Sequence, residues 1–208
     1  MAGAPTVFIV EDEPEVRETF LELIRREGFS ARGFASGEDF LAVMDLPHSS
    51  CLVLDMRLPA MQGAEVLRQL KLRNAAIPVV VVTGFGDVPS AVDAMKAGAV
   101  DYLQKPVDPR SFVAAVRAAL RLNEEKHTEQ SLAQAAKDKL AALSDDERSV
   151  YRLLLSGNSN KQIAANLQIG LRTVELRRAN LLKKMEAGSL PELVRLAILG
   201  GLSQEPPS

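Results

Sequence analysis

The sequence predicts an α/β fold with a five-stranded, doubly wound parallel sheet, followed by a helical linker and a second, all-α domain of four helices. Three observations lead there. Short apolar runs rich in β-branched residues alternate with amphipathic segments up to Leu120, that alternation then stops, and three S-x-x-E/Q patterns punctuate the last third of the chain.

The elements follow in order. Strands are predicted over 7–10 (Val-Phe-Ile-Val), more weakly over 31–34, and then over 51–54, 79–82 and 100–103. Most are continuously apolar, which suits a parallel sheet covered on both faces. Between them, helical periodicity covers 14–27, where Gly28 ends the segment, and then 38–44, 63–73, 89–97 and 110–121. The stretch 123–143 has good helix formers and neither Gly nor Pro, so a helical linker is expected. Leu132, Ala136, Leu140 and Leu143 have nearly heptad spacing, which fits either a short dimer seam or a helix that caps the next domain with its apolar face.

From Ser144 onward the chain reads as all helical. Ser144 with Glu147, Ser159 with Gln162 and Ser189 with Glu192 each place a hydroxyl three residues before Glu or Gln, the pattern of a capping box. A further helix start is expected near Gly170, and the tail Gln204-Glu205-Pro206-Pro207-Ser208 has a disordered composition. The organisation is therefore 1–122, a linker 123–143, and 144–208.

Composition narrows the function. Cys51 lies within an apolar run, so a buried thiol is expected rather than a reactive one, and no Cys/His zinc spacing is present. No run approaches the roughly 18 apolar residues that a membrane span needs, and a cytoplasmic protein with no membrane partner is expected. The net charge of -2 does not suggest nucleic-acid binding, but its distribution is uneven: 13 basic and 16 acidic residues up to Arg121, against 9 and 7 from Ser144. A local stripe of Arg172, Arg177, Arg178, Lys183 and Lys184 could hold DNA.

Chemistry concentrates at the predicted strand ends. Glu11 and Asp12 follow the first strand, Asp55 the third, Thr83 the fourth and Lys105 the fifth, on the edge where open α/β sheets bind ligands. Clustered carboxylates repel one another unless a hard cation neutralises them, and Mg²⁺ with its preference for oxygen ligands suits such a set. One carboxylate could then attack a phosphoryl group while the metal and Lys105 offset the charge on the transferring oxygens. His48 and His127 have no acidic or nucleophilic partner at motif spacing and are expected to be solvated.

The segments Val10-Glu11-Asp12-Glu13, Leu54-Asp55-Met56-Arg57-Leu58-Pro59-Ala60-Met61-Gln62-Gly63, Val82-Thr83-Gly84-Phe85-Gly86-Asp87 and Lys105-Pro106 closely resemble receiver domains of two-component response regulators. The resemblance implies a flavodoxin-like sheet with Asp55 as phosphoacceptor. It further implies Mg²⁺ held by Asp12, Asp55 and the Arg57 carbonyl, with Glu11 acting through a metal-bound water. Thr83 and Lys105 would engage the new phosphoryl group, Tyr102 would rotate inward behind Thr83, and the Lys105–Pro106 bond would be cis. Gly63 and Pro59 would shape the loop beneath Asp55. Many relatives carry Asp where this chain has Glu11.

In the last third, Asn160 to Leu167 and the segment from Arg172 are joined by Gln168-Ile169-Gly170-Leu171, two helices and a tight turn. With the flanks Leu143-Ser144-Asp145-Asp146-Glu147 and Ser189-Leu190-Pro191-Glu192-Leu193-Val194, this resembles the four-helix LuxR-type domain, and the whole chain is similar to FixJ/NarL-type regulators. The recognition helix would span 172–185, with Ile163, Ala164, Leu167, Ile169, Val174, Leu181 and Leu182 as core. Lys161, Arg172, Thr173, Arg178 and Lys183 are candidates for phosphate contacts, and Glu175, Leu176 and Ala179 for the base-facing side. Arg177 stands where many relatives have His, and Asp146 where many have Arg.

The partners so implied are a sensor histidine kinase, double-stranded promoter DNA, RNA polymerase, and a second copy of the chain upon phosphorylation. The chain would then be no enzyme beyond its own phosphorylation and autodephosphorylation. Two other readings stand beside this one. A metal-dependent phosphohydrolase would use Asp55 as nucleophile, but haloacid-dehalogenase-like phosphatases usually carry a second Asp where this chain has Arg57. The Val174-Glu175-Leu176-Arg177-Arg178 segment also resembles the promoter-reading helix of sigma factors, whereas the helix after Ser189 favours the LuxR-type reading.

Overall fold

The computed structural model describes residues 4–42, 46–47, 49–84 and 88–202, with the side chains of 88–90 left out. They form two compact units, divided after His127.

The first unit is a parallel sheet of β1 (Thr6–Val10), β2 (Ser30–Phe34), β3 (Ser50–Asp55), β4 (Val79–Thr83) and β5 (Ala99–Gln104), in the order β2-β1-β3-β4-β5. The helices are α1 (Pro14–Arg26), α2 (Gly37–Leu41), α3 (Gly63–Leu72), α4 (Val88–Ala97) and α5 (Pro109–Ala141). β1, β3 and β4 are buried along their whole lengths, as their unbroken apolar runs require, while the edge strand β2 is largely exposed. Alternate side chains of the sheet feed two cores. Phe8, Val10, Leu52, Leu54 and Val81 pack with residues of α2, α3 and α4, whereas Val7, Ile9, Val53, Val80 and Val82 pack with α1 and α5. On the second face Phe20 and Phe112 stack with centroids 4.5 Å apart. This two-sided cover is the doubly wound arrangement that the alternation of strands and helices predicts.

The helix expected over 38–44 is described as α2, and residues 43–45 lie outside the described residues, as do His48 and the tail from 203. One difference from the expected elements has a local cause. The separate helix and linker expected over 110–121 and 123–143 are one helix, α5, since no Gly or Pro interrupts the sequence between Arg110 and Leu143. Within the first unit α5 is tied down by Asn123, whose Oδ1 accepts from Ser50 N at 3.1 Å and whose Nδ2 donates to Ala76 O at 2.9 Å.

The second unit takes the last turns of α5 and adds α6 (Asp145–Leu155), α7 (Asn160–Leu167), α8 (Leu171–Met185) and α9 (Leu190–Gly200). Full capping boxes form at Ser144/Glu147 and Ser159/Gln162. At α9 only the Ser189 hydroxyl half forms, because the Glu192 carboxylate accepts instead from Gly188 N. Val150, Tyr151, Ile163, Val174, Leu181 and Met185 are fully buried. Tyr151 donates its hydroxyl proton to Leu193 O at 2.6 Å, and burial pushes its pKa up to about 12. Of the heptad-spaced residues, Ala136, Leu140 and Leu143 are buried and Leu132 is exposed. Leu140 and Leu143 belong to this unit's core, which selects the capping role over a dimer seam.

Candidate functional site

The sheet brings the sequence-predicted acids together. β1 ends at Val10, with the next residue, Glu11, still buried and Asp12 half-exposed, and β3 ends on the buried Asp55. One oxygen from each of Glu11, Asp12 and Asp55 lies within 4.8 Å of the others. Lys105, just past β5, donates from Nζ to Asp55 Oδ2 at 2.6 Å and to Glu11 Oε2 at 2.7 Å. Asp55 Oδ1 accepts from Arg57 N at 2.8 Å.

Burial raises the Glu11 pKa, and the Asp55 charge adds to this, while the hydrogen bond from Lys105 only partly opposes it. Burial also works against the Lys105 ammonium, but its bonds to Asp55 and Glu11 outweigh that effect and hold its pKa above the ordinary lysine value. The buried Glu11 Oε1 has no hydrogen-bond partner among the described residues. Three carboxylates, one of which keeps an unpartnered buried oxygen, form a hard oxygen donor set that fits a divalent cation such as Mg²⁺.

Further residues singled out in the sequence surround this cluster in the fold. Thr83 is buried at the end of β4 and Tyr102 is half-buried in β5. The Lys105–Pro106 peptide is cis. Gly63 donates from N to Met56 O at 3.0 Å, and a Cβ on it would stand 2.6 Å from Asp55 O, so the backbone beneath Asp55 closes only over glycine. Phe85, Gly86 and Asp87 of the fourth motif lie outside the described residues. Cys51 is buried, and its thiol is pushed up to about 12 by desolvation, as an inert core residue should be.

In the second unit, α7 ends on Gln168 in the left-handed region (φ 54°), and Gly170 caps α8. Lys161, Arg172, Thr173, Glu175, Leu176, Ala179 and Lys183 are exposed. Leu176 is 62% exposed, on the face of α8 opposite the buried Val174, Leu181 and Met185. Other members of the basic stripe are engaged internally. Arg178 is half-buried and donates from Nη1 to Asn160 Oδ1 at 2.9 Å, Lys184 pairs with Glu147 at 2.7 Å, and Arg177 pairs with Asp146.

Residues 7–117 match the family described as response regulator receiver domain, and residues 141–197 match the bacterial regulatory proteins of the luxR family. The chain belongs to the two-component transcriptional response regulators. This response regulator is 42% identical to the transcriptional regulatory protein FixJ of Azorhizobium caulinodans over 95% of its own length and 93% of that protein's. It is 37% identical to the response regulator protein TodT of Pseudomonas putida, over 93% and 85%. Among solved structures it is similar to the response regulator StyR, with a TM-score of 0.86, 37% identity and coverage of 94% and 99%. It is also similar to full-length FixJ from B. japonicum, with a TM-score of 0.58, 37% identity and coverage of 95% and 98%.

As a regulator of transcription in this family, it has a receiver domain that implies a sensor kinase partner and a LuxR-type domain that implies DNA binding. Its acidic cluster is of the kind with which receiver domains typically bind Mg²⁺. Among the described residues, no helix is long and apolar enough to cross a membrane.

Two features of the regulator escape its sequence. Asp146 and Arg177, each a departure from many relatives, pair with one another; at a separation of 31 residues only the fold connects them. Arg17 stands among the polar residues of an ordinary amphipathic helix, with no motif to mark it. Its Nη1 donates to Glu11 O at 2.6 Å and to Asp12 O at 3.2 Å.

Proposed function

We propose that residues 1–122 receive a phosphoryl group on Asp55 from a sensor histidine kinase. Residues 144–208 would then bind promoter DNA, with 123–143 as the helical linker. The observation that carries this reading is the Asp55 carboxylate at the end of β3, hydrogen-bonded to Lys105 and clustered with Glu11 and Asp12. An Asp55 oxygen forms the bond to phosphorus as the P–N bond to the kinase histidine breaks, and the leaving imidazole keeps the electron pair and takes a proton. Asp12, Asp55 and the Arg57 carbonyl would hold Mg²⁺, with Glu11 acting through a bound water. When bound, the metal supplies charge neutralisation for the phosphoryl oxygens. Lys105 offsets the remaining charge, and Thr83 and Tyr102 relay the change to the surface over 88–103. Chemistry in this chain is limited to its own phosphorylation and dephosphorylation.

Phosphorylation would favour a homodimer that engages two half-sites, aided by the apolar row Leu190, Val194 and Ile198 exposed on α9. Lys161, Arg172, Thr173, Arg178 and Lys183 would contact phosphates, and Glu175, Leu176 and Ala179 the base edges. RNA polymerase would be met at the promoter, in the cytoplasm.

Incubation with acetyl phosphate and Mg²⁺ should add one phosphate by mass. Equal labelling of Asp55→Asn would sink the assignment. A phosphorylated protein that sediments as a monomer, with unchanged operator affinity, would remove dimerisation from the scheme.

A further inference from the structure

The β1–α1 loop, which carries two of the three clustered acids, is held in part by a residue outside the cluster. Glu11 is 1% exposed, so its backbone groups must find partners inside the protein. Its N–H donates to Phe34 O at 3.1 Å, continuing the β1–β2 ladder by one bond. β2 ends at Phe34, and it is the Arg17 guanidinium that meets the Glu11 carbonyl. The same Nη1 also reaches Asp12 O, so one planar cation ties together the carbonyls of both consecutive acids.

Arg17 can do this only because β2 leaves room for its stem. A Cβ at Gly33 would lie 3.1 Å from Arg17 Cδ, 3.2 Å from Arg17 Cγ and 2.9 Å from Leu21 Cδ1. The first two contacts are tighter than ordinary van der Waals spacing, and the third forces a side chain of α1 to shift. Gly33 has no turn to form here, since it pairs in register with Ile9 within the strand. The missing side chain is filled by the aliphatic part of Arg17.

We infer that Arg17, laid across Gly33, is a positioning residue that holds the Glu11 and Asp12 backbone in the geometry that binds the divalent cation. This rests on the proposed metal reading of the acidic cluster. Partners one step outside a metal site commonly change its affinity by tenfold or more when removed.

The test is calorimetric titration of Mg²⁺ into the full chain, with metal-free melting followed in parallel. Arg17→Met should weaken Mg²⁺ affinity about tenfold, and Arg17→Lys, which keeps a donor and the charge, should recover part of it. Gly33→Ala should weaken Mg²⁺ binding about threefold, because the crowded stem loses part of a charge-assisted hydrogen bond. In an Arg17→Met background the same Gly33→Ala change should leave Mg²⁺ affinity where it was. That non-additivity separates positioning from general destabilisation, which would lower the melting temperature in both backgrounds and leave metal affinity alone. Wild-type Mg²⁺ affinity in Arg17→Met, alongside its loss in Asp12→Ala, would overturn this inference and leave the metal reading intact. A wild-type chain that binds no Mg²⁺ would overturn the metal reading and this inference with it.

Discussion

Lys105 donates to Glu11 Oε2 at 2.7 Å, while the other oxygen of that carboxylate is buried and has no partner among the described residues. Glu11 is thus held in a state that suits a cation better than it suits the metal-free fold. Glu11→Gln, which keeps an acceptor for Lys105 and removes a buried charge, should raise metal-free stability by about 0.5–1 kcal/mol and weaken Mg²⁺ binding. The gain should depend on pH. Because burial raises the Glu11 pKa in the fold, wild-type stability falls as pH rises from the ordinary glutamate value, about 4.3, through the folded value. The two proteins should therefore melt alike in acid and separate towards neutral pH. A variant no more stable than wild type at pH 7 would count against the idea.

The Asp146–Arg177 pair bears on DNA affinity. Its side chains are 64% and 25% exposed, so the pair contributes little to stability, less than about 1 kcal/mol. Its larger effect is to neutralise a cation on α8, the helix proposed to contact phosphates and base edges. Asp146→Asn should strengthen binding to any duplex and steepen the dependence of log K on log salt by about 0.9 per additional phosphate contact. Titration of a non-operator duplex across salt concentrations measures both. An unchanged slope would place Arg177 away from the DNA backbone.

The alternation of strands and helices, the two apolar faces and the strand-end acids were legible because each is carried by local pattern, whereas the strand order is set by how the chain folds back on itself. Runs such as Val79-Val80-Val81-Val82 can only be interior, and the acids follow the strands directly. Contacts made through the fold were not legible. Arg17 reaches Glu11 because α1 doubles back over β2, and nothing in its own heptad marks it. The helix expected over 110–121 and the helical linker expected over 123–143 run on as one helix because periodicity weakens after Leu120 while backbone propensity for helix does not. The half-formed capping box at Ser189 failed because Gly188 offers Glu192 a competing donor.

Glu147 should make the second unit acid-sensitive. Its carboxylate accepts from Lys184 Nζ at 2.7 Å and from the Ser144 backbone at 2.8 Å, and these bonds, that to Lys184 foremost, hold its pKa below the ordinary value. The stability it contributes is present above the unfolded pKa of about 4.3 and is lost as pH falls through the folded value. Glu147→Gln can retain the capping box but not the ion pair, so it should melt below wild type at pH 7 and match it at strongly acid pH. Glu147→Ala removes both interactions and should cost about 1–2 kcal/mol at neutral pH. Parallel melting curves for the three proteins decide the matter, and a difference from Gln that persists unchanged into acid would refute the ionic contribution.

The end of α5 should determine whether the DNA-binding unit is stable alone. Ala136, Leu140 and Leu143 are buried, and Gly200 closes against Leu140 so tightly that a Cβ there would stand 2.2 Å from Leu140 Cδ1. Arg148 adds polar ties, donating to Leu143 O at 3.2 Å and to Ala141 O at 3.3 Å, and Lys139 pairs with Glu186 at 2.7 Å. A fragment that begins at 144 loses these three side chains from a core that small domains can ill spare. Removing one large aliphatic side chain from a core costs about 2–5 kcal/mol, a sizeable share of the roughly 5–15 kcal/mol that holds a domain folded. Residues 128–208 should therefore unfold cooperatively and bind DNA, whereas residues 144–208 should be markedly less stable and bind in proportion to their folded fraction. Leu140→Ala in the longer fragment should lie between the two. Circular dichroism melts of the three, with DNA titrations below the lowest transition, give the ordering. If the shorter fragment melts with the longer one, the last turns of α5 are dispensable to the fold, and the DNA-binding unit begins at Ser144.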